Sequence, residues 1–207
     1  MKISLVRHFQ TEGNKQKRYI GTTDEPLAAD ASVGIERQVY ETPDTLYVSP
    51  LLRCRQTAAI LYPEKVQLVC EELRECDFGG FENKNYKELS GNPSYQAWIE
   101  SNGTLPFPNG ESREGFQTRT VNAFYSCVRE AYEKGSKHIA LVVHGGTIMS
   151  IMEAVTGRKG SYYEWQVANG NGFEFSIALG KDDTLENVAV AGEQIKKLEG
   201  MRNTTCI

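Results

Sequence analysis

The run HIALVV, from His138 to Val143, constrains the chain more than any other segment. It presents no polar face after its first residue, so a strand built from it must be covered on both sides. Such a strand belongs inside a parallel sheet flanked by helices. The neighbouring segments fit that arrangement. Ile3–Val6 reads as a first strand, and the turn-rich GTTDEPL follows at Gly21–Leu27. Thr45–Ser49 reads as a second strand and leads directly into a helix, with Pro50 suited to its first position and Ser49 to its cap. Leu51, Leu52, Ala58, Ala59, Ile60 and Leu61 give that helix an apolar side. Lys65–Cys70 is a third strand. The longest helix is expected from Ser112 to about Lys134, closed by Gly135. A further helix runs on from Thr147 and stops at Gly157, NGFEFSIAL and LENVAVA read as closing strands, and Lys196 onward reads as a frayed tail.

Strands alternating with helices predict an α/β fold, a three-layer αβα sandwich around a mostly parallel sheet. The polar, aromatic-rich stretch at about 83–110, with Trp98 and Phe107, is expected to form a small helical cap inserted into a single domain, 1–207. At 207 residues the chain has ample material for one core.

Composition narrows the partners. A net charge of −4 argues against nucleic acid or an anionic membrane. No apolar run approaches the ~18 residues of a membrane span, and the first apolar run ends at Arg7, too early for a leader-peptide core. The five cysteines form no C-x-x-C pair and no metal spacing with histidine, which points to reduced thiols in the cytoplasm and to no metal or other cofactor.

In open α/β sheets ligands lie beyond the carboxyl ends of the strands. Three strands end in reactive residues: the first in Arg7-His8, the second in SPLLR with Arg53, the apolar one in His144-Gly145-Gly146-Thr147. If those strands are parallel, two arginines and two histidines meet at one sheet edge near two helix N-termini. A phosphoryl group suits such a place, because guanidinium forks match phosphate oxygens and helix N–H groups favour anions. One neutral imidazole could attack phosphorus and form a phosphohistidine, while the other stabilises charge on the equatorial oxygens. The leaving alkoxide needs an acid, and Glu72, Glu75, Asp77 and Glu82 in EELRECDFGGFE are candidates.

These segments resemble the histidine phosphatase superfamily, the phosphoglycerate-mutase-like enzymes. RHFQTEGN matches R-H-G-x-T-x-x-N, SPLLRCRQTA matches S-x-L-x-R-x-x-Q-T-A, and LRECDFGGFE matches L-x-E-x-x-x-G-x-W-E; NGES, FQTR and VVHGGT follow in order. The resemblance implies a metal-independent phosphomonoesterase acting on a small phosphorylated metabolite. It assigns His8 as nucleophile and Glu75 as general acid. Arg7, Asn14, Arg53, His144 and the Gly145 N–H would hold the phosphoryl group. Phe9 stands where the family has glycine, and it is expected to line the pocket, with Thr11, Gly21 and Thr22 also near the substrate. Phe81 replaces the family tryptophan. The middle segment is similar to the alpha-ribazole phosphatases, which makes alpha-ribazole phosphate the expected substrate. A phosphomutase and a phosphate-binding module without catalysis share the same residues. Arg55 is expected on the surface or behind the pocket-lining residues and His138 exposed, and Trp98 is a candidate cap anchor.

Overall fold

A computed structural model describes residues 1–178 and 195–201. In chain order the elements are β1 (Lys2–Arg7), α1 (Glu12–Lys15), β2 (Thr45–Val48), α2 (Leu52–Leu61), β3 (Gln67–Val69), α3 (Pro93–Glu100), α4 (Arg113–Glu133), β4 (His138–Val143), α5 (Gly145–Thr156), β5 (Gly172–Ser176) and β6 (Lys196–Leu198). The sheet runs β3-β2-β4-β1-β5-β6. β4 is parallel to both β1 and β2, and β3 to β2, whereas β5 and β6 close the sheet antiparallel.

The apolar run explains the layering. Every residue of β4 is buried. Ile139, Leu141 and Val143 pack with Phe124, Val128, Ile151 and Val155 of α4 and α5. Ala140 and Val142 face the other way, toward Cys54, Ala58 and Leu61 of α2. Helices therefore cover both faces, and each large aliphatic side chain withdrawn from water contributes about 1.5–3 kcal/mol. A third, smaller cluster of Phe81, Leu89 and Tyr95, joined by Tyr19, Phe78, Trp98 and Phe107, carries α3. Asn92 caps α3 by accepting the N–H groups of Ser94 and Tyr95, and Pro93 opens it. Gly135 and Gly157 follow α4 and α5 at positive φ.

Four local expectations change. α2 begins at Leu52 rather than Pro50, and its first N–H is satisfied by Asp24 Oδ1 at 2.7 Å, not by Ser49. Its buried side is Arg53, Cys54, Thr57, Ala58 and Leu61, while Leu52 and Ala59 are exposed. Lys196–Leu198 is a strand rather than the start of a frayed tail, since β6 pairs with β5 in register; residues 202–207 and the expected strand LENVAVA lie outside the described residues. His138 is buried, its Nε2 2.9 Å from Ser4 Oγ.

Candidate active site

The parallel register brings the reactive strand ends together. Arg7 lies opposite Val143, and the His8 N–H donates to the Val143 carbonyl at 3.0 Å. The imidazole rings of His8 and His144 are consequently 5.2 Å apart at an interplanar angle of 65°. Both are buried. His8 Nδ1 lies 2.7 Å from the Phe9 carbonyl oxygen. A carbonyl can only accept, so Nδ1 carries the proton and Nε2 keeps its lone pair. Burial, then repulsion from the Arg53 and Arg7 guanidiniums, holds the His8 pKa well below its usual value, so the ring is neutral at pH 7. Burial, Arg53 and His8 do the same to His144. Its Nε2 lies 2.7 Å from Ser49 Oγ.

Two guanidiniums flank the imidazoles. Arg7 Nη1 donates to the Val167 carbonyl at 2.7 Å. Arg53 is fully buried and donates to the carbonyls of Ile20, Gly21 and Thr23. The Nε of each is buried without a protein partner. Asn14 closes the N-terminal capping box of α1: its Oδ1 accepts from the Thr11 N–H and from Asn169 Nδ2, both at 3.2 Å. With its oxygen engaged, its amide NH2 is the group left for an anion. Asn169 also donates to the His8 carbonyl at 3.0 Å.

Glu75 lies beneath the start of α5. Its carboxylate accepts the Cys76 N–H at 3.0 Å and the Gly146 N–H at 3.2 Å. Burial pushes its pKa up, against the pull of those hydrogen bonds and of Arg53. Arg119 steadies the segment, pairing with both Glu111 oxygens and donating to the Glu72 carbonyl at 2.7 Å. The other acid candidates serve elsewhere: Asp77 Oδ1 accepts the Gly79 N–H and Glu82 accepts two loop N–H groups. The exposed Glu72 approaches Arg74 at 3.4 Å.

A cavity of about 330 Å³ opens over these groups. Its inner end is lined by Arg7, His8, Asn14, Glu75, Gly145 and Gly146, and its outer walls include Tyr19, Phe78, Trp98, Phe107, Arg113, Tyr162 and Tyr163. Arg53 and His144, both fully buried, do not line it. Among the described residues no cluster of three or more His, Cys, Asp or Glu side chains could hold a metal, and no helix is long and apolar enough to cross a membrane.

The four residues expected beside the substrate fare differently. Phe9 does not line the cavity. It is fully buried in the core with Val6, Val48 and Leu198, its φ is not positive, and its N–H donates to Thr57 Oγ1 at 2.9 Å. Thr11 is the buried cap of α1, Gly21 is buried beside Cys76 and Phe78, and Thr22 is exposed outside the cavity wall. Arg55 is on the surface as expected. Sequence reasoning missed Ser49, Asn169, Arg113 and Tyr162, since no spacing in the chain marks residues that meet only across the fold.

The match to the family model for the histidine phosphatase superfamily (branch 1) covers residues 3–181. The chain belongs to that superfamily. It is a phosphatase with a histidine nucleophile. A 2,3-bisphosphoglycerate-dependent phosphoglycerate mutase of Rhizobium etli is 31% identical over 74% of this chain and 79% of its own length. An adenosylcobalamin/alpha-ribazole phosphatase of Salmonella typhimurium is 28% identical over 82% of this chain and 87% of its own. Among solved structures, the alpha-ribazole phosphatase from Shigella flexneri superposes with a TM-score of 0.71 at 22% identity, covering 92% of this chain and 98% of that one. That likeness is one of fold.

Proposed function

We propose that the chain is a metal-independent phosphomonoesterase and that His8 is its nucleophile. The observation that carries this reading is the pair of buried, neutral imidazoles 5.2 Å apart, one with its Nδ1 proton pinned on the Phe9 carbonyl. Nε2 of His8 attacks phosphorus, an N–P bond forms, and the ester P–O bond breaks. Glu75, kept protonated to higher pH by burial, delivers its proton to the departing alkoxide. Water then attacks the phosphohistidine, Glu75 takes up a proton from it, and inorganic phosphate leaves with Nε2 regenerated. Arg7, Arg53, the Asn14 amide and the Gly145 N–H hold the equatorial oxygens, with the excess of donors placed where charge concentrates in the transition state. His144 lies against the His8 ring; burial first and then repulsion from Arg53 keep it neutral, and an arriving dianion offsets that repulsion.

The aromatic outer wall suits an organic moiety with a flat ring. Together with the Salmonella relative it makes alpha-ribazole phosphate the first candidate substrate. The segment at about 83–110, which carries α3 and Trp98, acts as a cap within one catalytic unit. A cytoplasmic site of action fits the free thiols of Cys54, Cys70, Cys76 and Cys127. The test is turnover of an aryl phosphate in EDTA, followed by a panel of alpha-ribazole phosphate, sugar phosphates and phosphoglycerates. Turnover should survive EDTA and fall by about 10³-fold or more in His8→Ala. Strict dependence on added metal, or an unimpaired His8→Ala, sinks the reading. The Rhizobium relative favours a second reading as a phosphomutase; an isomer in place of free phosphate from 3-phosphoglycerate would establish it. Binding without turnover across the panel would instead leave a phosphate-binding module.

A further inference from the structure

Arg53 is held in an unusual way. Among the described residues no carboxylate pairs with it; three backbone carbonyls fix its fork, those of Ile20 at 3.2 Å, Gly21 at 2.9 Å and Thr23 at 2.8 Å. The placement of this cation therefore depends on a short stretch with no regular secondary structure. Glu82 fixes that stretch. Its Oε1 accepts both the Gly21 N–H at 2.7 Å and the Thr23 N–H at 2.9 Å. Its Oε2 is buried and bare, packed so closely on Gly21 that a Cβ there would come within 3.0 Å of it and within 2.0 Å of the Cys76 carbonyl. Charge-assisted bonds of this kind are strong, and Glu82 makes them outside the wall of the cavity. Glu82 directly follows the helical turn Gly79–Phe81, whose Phe81 is anchored in the cap cluster.

We infer that Glu82 is a positioning residue for the phosphoryl site: it locks the Gly21–Thr23 loop, and the loop's carbonyls aim Arg53. The inference rests on Arg53 gripping the phosphoryl group. It also links the cap cluster to that grip, because the carboxylate that orders the loop belongs to the residue directly after Phe81, which packs in that cluster.

Orthovanadate, a phosphate-shaped oxyanion, is the probe, measured as an inhibitor of aryl phosphate hydrolysis in the full chain. Glu82→Ala should weaken it about tenfold or more, the scale of losing buried charged hydrogen bonds. Glu82→Gln should lose less, since an amide oxygen can still accept both N–H groups. Arg53→Lys should also weaken vanadate, and in that background Glu82→Ala should add little, as residues acting through one another do. The decline of rate at high pH that a protonated Glu75 would set should stay where it is. If Glu82→Ala does not fold, Glu82→Asp, which withdraws the carboxylate by one methylene, takes its place in the cycle. A vanadate affinity unchanged by the Glu82 variants, losses that multiply independently, or a high-pH limb that disappears would each overturn the inference. If Arg53→Lys alone leaves vanadate binding intact, the fault lies instead with the reading of the phosphoryl site.

Discussion

Glu75 shows how much of a residue's chemistry is set by its surroundings. The same side chain on the surface would be ionised at neutral pH and useless as an acid. Buried, it keeps its proton to higher pH, even though the N–H groups of Cys76 and Gly146 that hold it favour the charged form. Activity should therefore decline as pH rises through that raised pKa. Glu75→Gln should remove this limb and lower kcat by about 10²–10⁴-fold on an alkyl phosphate, yet cost far less on an aryl phosphate whose leaving group needs no proton. Equal losses on both esters would deny Glu75 the acid role. Phe9 teaches the opposite lesson. It occupies the position after His8, but its ring belongs to the core. Phe9→Ala should cost about 3–5 kcal/mol in chemical denaturation and leave KM for an aryl phosphate unchanged; a large KM change with intact stability would put the ring back in the pocket.

At the scale of elements, the start of α5 is where sheet, helix and acid converge. β4 delivers His144 as the helix cap, and the first two helical positions are glycines for different reasons. A Cβ on Gly146 would sit 2.5 Å from Glu75 Oε1 and 3.0 Å from the Phe116 ring, whereas one on Gly145 would approach Arg7 Nε at 3.3 Å. The first contact must displace the carboxylate; the second needs only a slight shift of a side chain. Gly146→Ala should thus lower kcat/KM by about 10²-fold, on the scale of a misplaced catalytic group, and Gly145→Ala by much less. Steady-state kinetics of the two variants decide it, and equal losses would contradict the geometry. The elements themselves were unevenly legible. β4 could be read from its composition because a strand apolar on both faces has only one place to go. β6 could not: its residues are Lys196, Lys197 and Leu198, and only pairing with β5 makes a strand of them.

At the scale of the molecule, the cost of building a neutral histidine pair in the interior should appear as acid sensitivity. His8 and His144 both have folded pKa values below the usual 6.5, and His138 shifts the same way. Below that pH the unfolded chain binds protons the folded protein resists. The stability associated with neutral histidines is present above about pH 6.5 and is lost as pH falls toward the depressed values. Glu75 works in the other sense: with its pKa raised, its contribution is fully present below the ordinary glutamate range and lost as pH rises through the folded value. Tm should fall from pH 7.5 to 5.5, and a His8→Asn, His144→Asn double variant should flatten that slope; a slope unchanged by the double variant would exclude the pair as its cause.

The sequence by itself determined an apolar run that must be central and polar strand endings that share an edge if the strands are parallel, and with them the meeting of Arg7, His8, Arg53 and His144. Those features follow from periodicity and burial, which are local properties of the chain. Only the tertiary structure decided which carboxylate is buried beside them, that Ser49 and Asn169 tie down the site, that Phe9 turns into the core, and that Glu82 organises a loop some sixty residues earlier in the chain. Hydrogen bonds and desolvation depend on which groups come within a few ångströms after folding, and no spacing along the chain encodes that distance.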